Sequence, residues 1–88
     1  MQLKIQGART THTKELGYLG TVIFTVEGHR EPYEVTLQSD SGDDWNYSLH
    51  FQDTPGDEEE ISAVEEWLEQ DDDAFDALLY AAEEALEE

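Results

Sequence analysis

The chain has 88 residues, with 23 Asp and Glu against four Lys and Arg, and it has no cysteine. This length suits a single domain, and the lack of cysteine excludes a disulfide-stapled fold and a thiolate zinc site. No apolar run approaches the roughly 20 residues of a membrane span and no signal-peptide pattern is present, so we expect a cytoplasmic protein without membrane contact.

Charge is divided unevenly along the chain. All four basic residues lie in residues 1–30, whereas residues 31–88 hold 21 acids and neither Lys nor Arg. A disordered acidic tail is the ordinary meaning of such a skew. The apolar residues of the acidic part instead recur with the periods of strands and helices, which predicts a folded domain with a small core.

Four strands are predicted in the first part of the chain, over 2–6, 19–27, 32–39 and 45–52. Apolar and polar residues alternate in each, most clearly in the fourth, where Tyr47, Leu49 and Phe51 share one face. Residues 7–15 are polar and rich in hydroxyls, and we expect them to form a loop. The other links are short, which favours an antiparallel meander with one covered face.

Two amphipathic helices are predicted to follow, over about 57–70 and 74–87. Ile61, Val64 and Leu68 recur at helical spacing in the first helix, and a longer apolar stripe begins at Phe75 in the second. Asp73 is expected to cap the second helix. With both helices packed on one face of the sheet, the predicted fold class is α+β, in the order β-β-β-β-α-α.

The polar faces of both predicted helices are rich in acids. The predicted partner-binding residues are Glu58, Glu59, Glu65, Glu66, Glu69, Asp71, Asp72, Asp73, Asp76, Tyr80, Glu83, Glu84 and Glu87. Carboxylates one helical turn apart are separated by about 5.4 Å along the axis, and DNA phosphates by about 3.4 Å on each strand. Two adjacent rows of acids therefore approximate the charge density of a nucleic-acid backbone.

Several of these acids are not expected to stabilise the fold. They crowd the C-terminal end of the second helix, where the macrodipole disfavours negative charge and no Lys stands one turn away. Tyr80 projects among them, and two interpretations are open: it anchors a partner, or it covers the edge of the core. For Trp67, the position at the core edge is favoured.

A second group lies at the turn before the fourth strand. Its members are Asp40, Asp43, Asp44 and Trp45. These residues are the alternative partner-binding site if the helices do not carry the interaction.

Motifs for chemistry are missing from the sequence. The three histidines have no spacing that indicates a site, and the dispersed glycines form no phosphate-binding loop. EF-hand spacing fits neither a start at Asp40 nor one at Asp71. We therefore expect no enzyme activity, no dedicated metal site and no cofactor.

In size, charge and lack of catalytic motifs, the chain resembles the small acidic DNA-mimic inhibitors encoded by phages and mobile elements, including anti-restriction and anti-CRISPR proteins. The resemblance is to a class that shares no common fold. It implies a basic nucleic-acid-binding partner, such as a phage-defence nuclease or a nucleoid protein, and competition with DNA or RNA for it.

Two alternatives remain at this stage. The first is a halophilic interaction domain, whose acidic surface is an adaptation to high salt. The second is an anion-binding loop over residues 9–14, which combine bases with hydroxyls. Direct binding of nucleic acid is not expected, because like charges repel and the bases are too few for a groove-binding patch.

Overall fold

The computed structural model describes residues 2–41, 44–53 and 55–86. Its elements are β1 (Leu3–Thr13), β2 (Gly17–Val26), β3 (Tyr33–Ser39), β4 (Asn46–Phe51), α1 (Glu58–Gln70) and α2 (Asp72–Glu84). The four strands form one antiparallel sheet in chain order, and the two helices follow. The predicted α+β fold with the order β-β-β-β-α-α is confirmed.

The core lies between one face of the sheet and the two helices. Its buried side chains are Val22, Phe24 and Val26 of β2, Tyr33, Val35 and Leu37 of β3, Val64 and Leu68 of α1, and Ala74, Leu78 and Ala82 of α2. α1 packs over β4, and α2 packs over β1 and β2. Gly20 allows this close approach of α2, because a Cβ at Gly20 would lie only 3.1 Å from the Cβ of Ala82.

The first strand is longer than predicted. β1 extends to Thr13, so most of the segment expected as a loop over 7–15 is strand, and that prediction is wrong. Thr10 is the one buried residue of this segment, which is why its side chains show no apolar alternation. Backbone pairing with β2 holds the segment in the sheet instead.

This strand geometry also corrects the anion-binding interpretation of residues 9–14. Arg9 and Thr11 point to one face of β1, and Thr10 and His12 point to the other, because successive side chains of a strand alternate. The predicted loop is therefore not formed over Arg9–Thr13, and its bases and hydroxyls are divided between the two faces of a strand.

A bulge between Ile5 and Gly7 shifts the register of β1 against β2. Before the bulge, Leu3 and Ile5 lie opposite β2 residues of the helix-covered face, and after it the even-numbered residues do so. Arg9 consequently lies on the face of the sheet that the helices do not cover.

The two helices are joined by Asp71 alone. The predicted cap, Asp73, is inside α2, because the helix begins two residues earlier than expected. Oδ1 of Asp71 instead accepts hydrogen bonds from the backbone N–H groups of Asp73 and Ala74, at 3.0 and 3.3 Å. A single residue therefore ends α1 and caps α2.

The sheet face opposite the helices is polar and nearly free of acids. Its described residues are Lys4, Gln6, Arg9, Thr11, Thr13, Leu19, Thr21, Ile23, Thr25, Glu34, Thr36, Gln38, Asn46, Ser48 and His50. We call this set the open sheet face. Neither of the two described helices has the length and apolar character needed to cross a membrane.

Candidate interaction surface

Both helices present exposed carboxylates around the side chains that they bury against the sheet. These are Glu58, Glu59, Glu65, Glu66 and Glu69 of α1, with Asp72, Asp73, Asp76, Glu83 and Glu84 of α2, and all ten are exposed. We call this set the acidic helical face. Glu87, also predicted for this surface, lies outside the described residues.

The helical period places these acids. Val64 and Leu68 of α1 are buried against the sheet, as are Leu78 and Ala82 of α2. Each pair is spaced by one turn, so it defines the buried stripe of its helix, and the acids occupy the remaining circumference. The same periodicity in the sequence was the basis for predicting this surface.

The acids at the two helix termini have opposite effects on helix stability. Those in the first turns of α1 and α2 meet the partial positive charge of a helix N-terminus. Glu83 and Glu84 instead lie in the last turn of α2, which has no basic residue to offset the partial negative charge there. The last-turn acids therefore weaken the helix slightly.

The acidic helical face has no cationic partners within the described chain. In residues 2–41, 44–53 and 55–86, the one ion pair joins His50 Nε2 to Glu34 Oε1 at 2.6 Å, on the open sheet face. None of the described helix carboxylates lies within ion-pair distance of a Lys or Arg. These carboxylates are available to a cationic partner without displacing an internal one.

Asp71, another of the predicted partner-binding residues, has a structural role in the fold. It is half-buried, and its Oδ2 accepts a hydrogen bond from the indole Nε1–H of Trp67 at 3.1 Å, while Oδ1 caps α2. Both carboxylate oxygens are thus used inside the fold. Trp67 packs against the core, as the sequence favoured.

Tyr80 is the large aromatic residue of the acidic helical face. It is 63% exposed, so the interpretation that it covers the core edge is wrong. Hydrogen bonding to Glu84, one turn later, raises the pKa of Tyr80. The phenol therefore stays protonated among the acids and offers an aromatic surface with a hydroxyl at its tip.

The charges of α1 also reach the tyrosines of the sheet. Burial, followed by the charges of Glu69 and Glu65, raises the pKa of Tyr47. Burial, followed by the charges of Glu60 and Asp57, raises the pKa of Tyr33 to about 12. Burial and the neighbouring carboxylates both disfavour the phenolate form of these two residues.

The second predicted group lies at the end of the sheet. Asp40 and Asp44 are exposed, Trp45 is half-buried, and Asp43 lies outside the described residues. The ring of Trp45 lies beside that of Tyr18, with their centroids 6.0 Å apart. The structure thus adds an aromatic neighbour to this group from β2.

A pocket of about 250 Å³ opens between Trp45 and the end of α2. It is lined by Thr10, Tyr18, Ser41, Trp45, Glu83 and Leu86. We call it the aromatic pocket. It brings Glu83 of the acidic helical face together with Trp45 of the second group, two residues that the sequence assigned to separate sites.

Sequence analysis did not find Tyr18 as a site residue. Its ring also stacks on His12, with centroids 4.4 Å apart, because the two residues are direct partners across β1 and β2. A loop over residues 7–15 gives Tyr18 no strand partner, so the sequence pattern does not indicate this contact.

The other two histidines have partners in the fold. Nδ1 of His29 lies 2.7 Å from the Tyr33 hydroxyl, and Nε2 of His50 is paired with Glu34. Within the described residues, no three His, Asp or Glu side chains form a group suited to a metal ion.

Comparisons with protein-family models, with curated proteins and with solved structures find no match for this chain. The surfaces of the chain itself are therefore the guide to its function, above all the acidic helical face and the aromatic pocket.

Proposed function

We propose that this protein is an acidic DNA mimic that binds the basic nucleic-acid-binding surface of another protein and blocks it. The observation that carries the proposal is the acidic helical face, with ten exposed carboxylates on two adjacent helices. These carboxylates take the place of phosphates against Lys and Arg of the partner. A phage-defence nuclease is the kind of partner that the class resemblance implies.

The uneven distribution of acids favours this function over an adaptation to high salt. Such an adaptation calls for acids over the whole surface, since the whole surface meets the solvent. Residues 57–84 hold 13 acids and no base, whereas the described open sheet face holds Glu34 as its one acid beside Lys4 and Arg9. Charge concentrated on one side suits recognition of one partner.

The central experiment compares two variants of identical net charge. One carries Glu66→Lys, Glu69→Lys and Asp76→Lys on the helices, and the control carries Glu15→Lys, Glu27→Lys and Asp53→Lys. All six residues are exposed, so both variants should fold. Each is used as bait in nuclease-treated lysate at low salt, and bound proteins are eluted with duplex DNA.

We expect the wild type and the control to capture basic nucleic-acid-binding proteins that duplex DNA displaces. The helix variant should capture much less of them, because its three substitutions change the net charge of residues 57–84 from −13 to −7 (3 × 2 = 6), whereas the control leaves it at −13. Equal capture by both variants would show that overall charge, and not the helical face, drives binding. Bound proteins that DNA does not displace would contradict mimicry.

Kinetics on a captured partner separate steering from anchoring. Glu66→Lys, Glu69→Lys or Asp76→Lys should each mainly slow association, as expected for charges that steer an encounter. Tyr80→Ala should instead speed dissociation at least about tenfold, the effect of losing a desolvated hot-spot residue. An unchanged dissociation rate for Tyr80→Ala would remove Tyr80 from the interface.

A salt series separates the proposed function from halophilic adaptation. Stability should rise with salt for either function, since screening relieves repulsion among the acids. A DNA mimic should already be cooperatively folded at about 0.15 M salt. Circular dichroism that shows an unfolded chain at this salt concentration would favour the halophilic interaction domain.

A further inference from the structure

We propose that the aromatic pocket binds a guanidinium group, supplied by an arginine side chain of a partner protein. The pocket measures about 250 Å³, below the roughly 300–1,000 Å³ of sites for drug-sized ligands. Its size therefore suits one side-chain head group. The arginine as the source rests on the proposed function, whereas recognition of guanidinium by the pocket does not.

Two aromatic rings form one wall of the pocket. The ring centroids of Tyr18 and Trp45 are 6.0 Å apart, and the rings are inclined by 46°. At this distance the rings contact each other, so a ligand does not lie between them but against the wall that they form. Aromatic faces attract cations that lie within about 6 Å of the ring centroid, so this wall suits a cationic ligand.

The lining residues of the pocket include one carboxylate and no cationic side chain. Glu83 supplies a carboxylate, and the negative end of the α2 macrodipole lies beside it without a basic residue in the last turn. The hydroxyl of Thr10 donates to the carbonyl oxygen of Ala82 at 2.5 Å. Oγ1 of Thr10 is consequently left to act as an acceptor, and an anion in this pocket would be repelled.

Guanidinium fits this combination better than ammonium does. It is planar and weakly hydrated, it stacks on aromatic rings, and its N–H groups match a carboxylate. A lysine ammonium holds its hydration shell more strongly and gains less from a partly open aromatic pocket. The pocket adjoins the acidic helical face through Glu83, so one partner can contact both.

The test uses NMR on the full chain at 0.15 M salt. N-acetyl-arginine methylamide is titrated into the ¹⁵N-labelled protein. The corresponding lysine derivative is the control for a cation without a planar group, and the citrulline derivative is the control for an uncharged group of similar shape. The indole N–H of Trp45 is the reporter, and that of Trp67, bonded to Asp71, is the internal reference. We expect saturable shifts at Trp45 with arginine, at least fivefold weaker binding of lysine, and no saturation with citrulline.

Matched variants assign the binding to the pocket. Glu83→Gln lies in the pocket and should weaken arginine binding at least threefold, whereas Glu15→Gln, at an exposed acid outside both the pocket lining and the acidic helical face, should leave it unchanged. Equal effects of the two variants, or equal binding of arginine and lysine, would overturn the proposal. Because no partner protein is used, this result is independent of the capture experiment.

Free arginine distinguishes the source of the guanidinium. If N-acetyl-arginine methylamide binds as tightly as free arginine, or more tightly, the ligand is an arginine side chain of a protein. Tighter binding of free arginine would support guanidinium recognition but overturn the assignment to a partner side chain, because a free amino acid would then be the ligand.

Discussion

The acidic helical face and the open sheet face are built on the same core and differ in charge. Ten acids are exposed on the first, while Glu34 is the one described acid of the second. Like charges directly opposite each other on a sheet destabilise the pairing of strands, with Cβ atoms about 5 Å apart. Acids one turn apart on a helix cost only a few tenths of a kcal/mol. The spacings and penalties are similar in the two elements, so the geometry of helix and sheet is not the reason that the acids lie on the helices.

The largest expected effect tests which sheet face is covered. Leu78 is fully buried between α2 and the sheet, so Leu78→Ala should lower the free energy of unfolding by about 4 kcal/mol. Ile23 lies half-buried on the open sheet face, and Ile23→Ala should cost about 1 kcal/mol. Urea unfolding followed by circular dichroism measures both. Comparable losses would indicate that another surface covers Ile23 in solution.

The next effect concerns alkaline pH and the reach of the helix acids into the core. The pKa of Tyr33 is raised to about 12, against about 10 in an unfolded chain. The contribution of the neutral Tyr33 phenol to the free energy of unfolding is therefore complete below pH 10 and is lost as the pH rises through 12. At about 1.4 kcal/mol per pKa unit, the loss is at most about 3 kcal/mol.

Urea midpoints between pH 8 and 12 measure this dependence. Tyr33→Phe should flatten the profile, because the ionising group is gone. The charge of Glu60 raises the pKa of Tyr33. Glu60→Gln should therefore lower this pKa, so that the loss of stability begins at a lower pH. Glu84→Gln, at the far end of α2, serves as the control.

A smaller effect tests the link between β1 and α2. Thr10→Val removes the buried hydrogen bond to the Ala82 carbonyl and should cost about 1–2 kcal/mol. Thr10→Ser, which keeps the hydroxyl, should recover most of the loss. Thr11→Val alters the neighbouring, exposed residue and should change stability by less than about 0.5 kcal/mol. Equal effects at Thr10 and Thr11 would contradict the alternation of faces in β1.

The smallest effect concerns the acids themselves. Glu84→Lys places a positive charge at the C-terminal end of α2 and should stabilise the protein by about 0.5 kcal/mol. Glu58→Lys makes the same charge change in the first turn of α1 and should destabilise it by a similar amount. Thermal unfolding compares the two variants. A destabilised Glu84→Lys protein would mean that the last-turn acid supports the fold after all.

The parts of the fold that the sequence predicted are those with a buried stripe. Alternation at Val22, Phe24 and Val26 marked β2, and helical spacing at Val64 and Leu68 marked α1, because burial acts on these side chains directly. The extension of β1 had no such mark. It is held by backbone pairing and by Thr10, whose partner is 72 residues away.

In the candidate site, too, one part was predictable from the sequence and another was not. Exposure of the helix acids follows from the period of a single helix, so it was predictable from neighbouring residues. The aromatic pocket joins Tyr18, Trp45 and Glu83 from separate elements. Their proximity depends on the register of β1 and β2 and on where α2 ends, and neither was fixed by a local pattern.

Because of the bulge between Ile5 and Gly7, a single extra residue decides which face of the sheet each later side chain of β1 occupies. Without it, strict alternation from Leu3 and Ile5 would carry Arg9 beneath α2, as an unpaired cation in the core. Deletion of Gln6 would remove the bulge and keep Ala8 and every later residue of β1 on its present face of the sheet. Deletion of one residue after the bulge would move the residues that follow it in β1 to the opposite face. We therefore expect the fold to tolerate a one-residue deletion at the bulge better than the same deletion in the regular part of β1.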